Sequence, residues 1–239
     1  MSAIKKAMLL AAGLGTRMRH LTQSTPKPLI KVDGRTLLDR CLDGLEASGI
    51  ETVVINVHYL ADQIEAHVAR RTSPNIVISD ERNLRLETGG GVRNALPLLG
   101  SDPFLIQNAD CFWIDETGAN IKRLINAWDG EQMDALLLLT STDTALGYDG
   151  RGDFAKDEAG RLSRPQTGSV APFVFAGASV ASAQLFSNAP LGPFSLNVVW
   201  DRAREVGRLH GTELEGTWLH VGTPEAVEDA EHRLRAYDT

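Results

Sequence analysis

Ala7-Met8-Leu9-Leu10-Ala11-Ala12-Gly13-Leu14-Gly15-Thr16-Arg17-Met18 is the stretch that decides how this chain folds. Ala7 to Ala11 is apolar without alternation, the pattern of a strand buried on both faces of a parallel sheet. Gly13 and Gly15 follow at once, where backbone N–H groups can approach a phosphate closely. The segment lacks the Gly-Lys-Ser/Thr ending of a P-loop, and Met18 stands where a dinucleotide turn wants a third small residue. Arg17 adds a cation beside the loop. Taken alone, such a stretch reads better as a tight strand-to-loop turn with an exposed arginine.

The rest of the chain extends the pattern of the first strand. Thr52 to Val57, Ile76 to Ile78, Phe104 to Gln107 and Ala135 to Leu139 are further strand-like runs. Between them lie helical faces: Leu37, Leu38, Cys41, Leu42 and Leu45, stopped by Gly49; Leu60, Ile64 and Val68; Val92, Ala95, Leu96 and Leu99, opening at a Gly89-Gly90-Gly91 turn; and Ile121, Leu124, Ile125 and Trp128. Repeated βα units predict an α/β, Rossmann-like fold with a mostly parallel central sheet and helices on both faces. After Thr140 the rhythm changes. Gly147 to Arg164 reads as a hairpin or lid, Phe173 to Val180 as a strand and Leu196 to Val206 as a helix. Thr217 to Val221 reads as a late strand and Pro224 to Tyr237 as a closing helix. No repeat or linker divides the chain, so a single domain over 1–239 is expected.

Bulk properties exclude several classes. Of 239 residues, 43% are hydrophobic and 23% charged, which suits a packed globular core. A formal net charge of -7 without a basic block argues against a nucleic-acid partner, which needs a cationic footprint. Two cysteines, Cys41 and Cys111, rule out a disulfide framework or a cysteine-rich zinc site, and both read as small core residues. The apolar run after Lys5 and Lys6 is too short for a signal peptide, and nothing is long enough to span a bilayer. A cytoplasmic protein without a membrane partner is expected; no feature specifies an oligomeric state.

Thr25-Pro26-Lys27-Pro28-Leu29 raises the value of the glycine loop. Two prolines are expected to hold the backbone extended on both sides of Lys27 and limit where its amine points. Together with Arg17, ten residues earlier, it supplies two cations for one polyphosphate.

With both segments in view, LAAGLGTRM followed by TPKPLI resembles the nucleotide loop of the sugar-1-phosphate nucleotidyltransferases. Glu87-Thr88-Gly89-Gly90-Gly91 is similar to the turn that receives the base, and Asn108-Ala109-Asp110 to the segment whose aspartate binds magnesium. Gly152-Asp153-Phe154, Phe175-Ala176-Gly177 and Trp218-Leu219-His220-Val221-Gly222-Thr223 match later segments. The ETGGG and GRGDF forms look most like the N-acetylmuramate-1-phosphate uridylyltransferases of peptidoglycan recycling. The absence of a C-terminal hexapeptide repeat fits a monofunctional member.

The resemblance implies UTP and a sugar 1-phosphate as partners and Mg²⁺ as cofactor, with about 1–140 serving the nucleotide and 141–239 the sugar. It implies nucleotide binding by Ala11, Ala12, Gly13, Gly15, Thr16, Glu87, Thr88, Gly89 and Asn108. Arg17 and Lys27 become the catalytic cations, Asp110 the metal ligand, and Asp153, Arg164 and Gly177 the sugar-side residues. From the residues alone, Asp110 also reads as a cap, Asp153 and Arg164 as surface groups, and the glycines as a flexible turn. His220 departs from the pattern, which has a second metal-binding aspartate there. Imidazole is a poor ligand for Mg²⁺. The expected resolution is a metal held by Asp110, substrate phosphates and water; a softer ion such as Mn²⁺ and a weakened site are the alternatives. A guanylyl- or cytidylyltransferase, and a catalytically weak nucleotide-sugar-binding protein, remain the competing readings.

Overall fold

The computed structural model describes residues 4–115, 118–166 and 168–237. In chain order the strands are β1 (Lys6–Leu10), β2 (Lys31–Val32), β3 (Arg35–Thr36), β4 (Thr52–Val57), β5 (Asn75–Asp80), β6 (Phe104–Asn108) and β7 (Cys111–Ile114). They continue with β8 (Ala135–Ser141), β9 (Ala155–Lys156), β10 (Leu162–Ser163), β11 (Phe173–Ala181), β12 (Leu209–Glu213) and β13 (Thr217–His220). The helices are α1 (Leu37–Ala47), α2 (Ala61–Val68), α3 (Glu87–Leu99), α4 (Ala119–Asn126), α5 (Asn197–Glu205) and α6 (Pro224–Tyr237).

Seven strands form the central sheet in the order β12-β8-β11-β6-β1-β4-β5. Every pairing is parallel except those of β11, which runs antiparallel to β6 and β8. Alternate residues of each strand feed opposite layers, as a pleat requires. Ala7, Leu9, Val53, Ile55, Leu105 and Leu136 pack with α1, α2 and α4, while Met8, Val54, Ile106 and Leu137 pack with α3 and α5. This explains why the strand runs show no polar alternation: both faces are covered.

Two expectations are corrected. Gly89 to Gly91 do not form a turn before a helix; they lie in the first turns of α3 itself. Lys27 is extended only on its Pro26 side (ψ 143°), because Lys27–Leu29 closes a single tight 3₁₀ turn. β13 coincides with the late strand read at Thr217 to Val221, whereas β7 and the β12 edge strand are not among the strand-like runs; β11 and β12 complete the same sheet as β1. Among the described residues no helix is long and apolar enough to cross a membrane.

Candidate active site

The chain leaves β1 for β4 and β5 on one side and then crosses back to β6 on the other. Strand order reverses at β1, and in open α/β sheets a crevice opens at the carboxyl ends of the strands flanking such a point. A cleft of about 400 Å³ lies there. One wall is Leu10 to Gly13 with Lys27 and Pro28; another is Asn108 to Asp110; the third comprises Arg85, Glu87 and Thr88, with Asn56 and Ser195 between. The structure thus gathers Ala11, Ala12, Gly13, Lys27, Glu87, Thr88, Asn108 and Asp110 of the sequence-derived set around one cavity.

The loop owes its shape to Gly15, which sits at φ 65° and ψ 26°. Its carbonyl accepts from Met18 N and Thr22 Oγ1, each at 2.9 Å, and fully buried Met18 anchors the following turn. A Cβ at Gly15 would lie 3.0 Å from Lys27 Cβ, so this glycine lets the loop pack directly on the lysine stem. Thr16 and Arg17 are exposed at the loop's outer end and do not line the cavity.

Lys27 Nζ donates to Asp110 Oδ2 at 2.9 Å, and the lysine side chain is only 10% exposed against 32% for the aspartate. Asp110 follows β6, whose end is tied to the loop by Ala109 N donating to Leu10 O. The β7–β13 ribbon pairs Cys111 with His220, and Val221 N donates to Asp110 O. This brings His220 Nε2 to 3.9 Å from Asp110 Oδ2, with the imidazole stacked on Trp218. The Arg17 guanidinium reaches the same corner, lying against Gly222 beside the His220 ring. Burial pushes the Asp110 carboxyl up, but Lys27 by charge and hydrogen bond, with His220 and then Arg17, outweighs it and holds the group below the usual carboxylate range. Burial pushes the His220 imidazole down; Asp110 opposes this, and the two cations add to it, so the ring is neutral at neutral pH.

The three glycines of α3 make room for protein. A Cβ at Gly89 would strike the Phe194 ring, one at Gly90 would strike Gly192 O, and one at Gly91 would stand 2.8 Å from Asn56 Nδ2 and Glu81 Oε1. The amides of Gly89 and Gly90 already donate to Phe194 O. Thr88 Oγ1 accepts from Leu196 N, which ties α3 to the segment before α5.

The remaining candidates do not line this cavity. Asp153 Oδ2 accepts from Phe175 N at 2.9 Å. Arg164 donates to Asp201 Oδ1 at 3.1 Å and Asn197 Oδ1 at 2.6 Å, and its guanidinium covers the Phe154 ring at 4.2 Å. Gly177 is buried at an irregularity of β11, backed against Cys111 and Asn108. Sequence reasoning missed Asn56, Glu81 and Arg85. Asn56 had a signal, being the one polar residue inside Val53 to Val57; Glu81 and Arg85 stand in a polar loop that offered none.

Comparison with known proteins agrees with this geometry. The model of the MobA-like NTP transferase domain matches residues 7–148, and the chain belongs to that family. It is 46% identical over 236 residues to the N-acetylmuramate alpha-1-phosphate uridylyltransferase of Caulobacter vibrioides, covering 97% of this chain and 98% of the relative. The protein of the same name from Neisseria meningitidis is 33% identical over 95% of this chain and 96% of its own length. In structure the chain is similar to HddC from Yersinia pseudotuberculosis complexed with GMP-PN, with a TM-score of 0.78, 21% identity and coverage of 97% and 100%. The resemblance read from the loop and the TPKPLI segment is confirmed, as is the mostly parallel fold.

Proposed function

We propose that this protein transfers UMP from UTP to a sugar 1-phosphate, in first place N-acetylmuramate 1-phosphate, giving a UDP-sugar and pyrophosphate as a cytoplasmic step of peptidoglycan recycling. One observation carries the reading: the glycine loop, Lys27 and Asp110 surround one cleft at the switch point of the sheet. Near full-length likeness to two uridylyltransferases supports the choice of base and sugar. Residues 1–140 serve the nucleotide and 141–239 the sugar within one nucleotidyltransferase domain.

The sugar phosphate oxygen attacks the α-phosphorus of UTP in line. A new P–O bond forms as the α,β-bridging P–O bond breaks, and pyrophosphate departs. The attacking phosphate is already ionised at neutral pH, so no side chain has to take a proton. Catalysis then rests on positioning and on charge placed where charge develops. Backbone amides of Ala12 to Gly15 and the Thr16 end of the loop hold the phosphates, with Ala11 lining the cleft and Lys27 and Arg17 opposing the charge on the leaving pyrophosphate. Glu87, Thr88 and Asn108 border the nucleoside, with Gly89 behind them packed on Phe194. Asp153, Arg164 and Gly177 shape the sugar side.

Among the described residues no group of three or more His, Cys, Asp or Glu side chains is arranged around a metal ion. Asp110 offers one carboxylate, partly exposed and already paired with Lys27, and the neutral His220 ring adds no oxygen. This donor set suits a hard cation whose other ligands are phosphate oxygens and water, so Asp110 would hold Mg²⁺. When bound, the ion lessens the repulsion between the two reacting anions. His220 leaves a place for Mn²⁺ as a substitute.

The test is pyrophosphate release from a panel of nucleoside triphosphates crossed with sugar 1-phosphates. UTP with N-acetylmuramate 1-phosphate should give the highest kcat/KM. A guanylyl or cytidylyl pair at the top would replace the assigned substrate. Tight UTP binding without release from any pair would make the chain a nucleotide-sugar-binding protein.

A further inference from the structure

A buried chain of hydrogen bonds runs behind the cleft, through two side chains that no motif above contains. Asn56, 1% exposed at the end of β4, accepts from Ala11 N at 2.8 Å through Oδ1. Its Nδ2 donates to Glu81 Oε1 at 2.8 Å. Glu81, 3% exposed, accepts from Leu86 N through Oε2 at 3.1 Å. Ala11 opens the phosphate loop, and Leu86 immediately precedes α3, whose Glu87 and Thr88 form the facing wall. Gly91 closes the chain from above, because any Cβ there would press on both side chains.

The bonds have a fixed direction. Both ends are backbone N–H donors, so each end of the side-chain pair must accept, and the middle must join one donor to one acceptor. An amide beside a carboxylate meets that requirement in this order. Burial holds the Glu81 carboxyl above the usual range, and the bonds from Asn56 and Leu86 N offset this only in part. An unpaired group here would carry the full cost of desolvation.

We propose that Asn56 and Glu81 are positioning residues for the nucleotide, holding the phosphate loop and the start of α3 at one separation and so fixing the width of the cleft that receives the triphosphate. The proposal rests on the nucleotidyltransferase reading of that cleft. Neither residue needs to touch the reacting atoms; Asn56 lines the wall with Oδ1 and Nδ2 already engaged.

Reversing the polarity of the chain tests it. In Glu81→Gln an NH₂ group faces either Leu86 N or Asn56 Nδ2, or else Asn56 turns over and points its NH₂ at Ala11 N. In Asn56→Asp two carboxylates meet. In the double variant every bond returns: the new carboxylate accepts from Ala11 N and from the new amide, whose oxygen accepts from Leu86 N. Each single variant should weaken UTP binding, read by calorimetry, ~10-fold or more, and the double should return to within ~3-fold of wild type. KM for UTP should follow the binding, with kcat and KM for the sugar phosphate changed less than ~3-fold.

A lower melting temperature with unchanged UTP affinity in the single variants would overturn the proposal. So would a double variant that binds UTP no better than Glu81→Gln, since Glu81 would then act on the nucleotide itself. Should a single variant fail to fold, the double decides alone, and its misfolding or weak UTP binding counts against the proposal. Wild-type turnover on the same preparation separates the two questions: missing product there defeats the function, whereas an unrescued double variant defeats only the positioning role.

Discussion

The cleft at the switch point and the region beyond residue 140 use their polar side chains in opposite ways. Around the cleft, Lys27 donates to Asp110 alone among the described residues, and Ala12 and Gly13 line the open cavity. Beyond residue 140, Arg164 spends its donors on Asp201 and Asn197 and stacks on Phe154, and Asp153 caps a backbone N–H of β11. A charge kept for a ligand has few protein bonds; a charge that holds a fold together has several. The same residue types are thus left available to a ligand in one region and tied into the fold in the other.

Removing the charge at each site should expose this difference. Lys27→Ala keeps the Cβ that packs on Gly15 and should lower kcat/KM for pyrophosphate release by ~10²-fold or more, the scale of one lost electrostatic donor. Its melting temperature should fall little. Near-normal turnover would remove Lys27 from the catalytic set. Arg164→Ala should act through the fold, with a stability loss of ~1 kcal/mol or less in urea unfolding, because Arg164 and Asp201 are partly exposed. KM for the sugar phosphate should rise less than ~10-fold, by loosening of the Asp153 segment, with KM for UTP unchanged. A hundredfold rise in the sugar KM would instead make Arg164 a direct phosphate ligand and erase the contrast between the two sides.

The parts of this arrangement differ in how far they can be read from sequence. β1, β4, β6 and β8 announce themselves because strands covered on both faces are uninterrupted apolar runs. β12 does not, since Leu209-His210-Gly211-Thr212-Glu213 is an edge strand with four of its five residues polar or small. In the site, contiguous motifs are legible: the glycine loop and the proline-flanked lysine each hold their chemistry within a few residues. The Lys27–Asp110 pair spans 83 positions and exists only because β6 returns beside β1. Asn56 and Glu81 gain meaning from burial and register, which side-chain identity alone does not carry. The three glycines of α3 were legible as a place of close approach, but what approaches is Phe194, Gly192, Asn56 and Glu81.

The central claim is that Asp110 belongs to the chemistry of the cleft and is more than a strand-end cap. It is tested most directly by Asp110→Asn, assayed on one preparation for Mg²⁺-dependent pyrophosphate release and for thermal unfolding. Loss of metal-dependent turnover with the fold retained is the expected result. Turnover close to wild type with a lowered melting temperature would contradict it and leave Asp110 a structural cap.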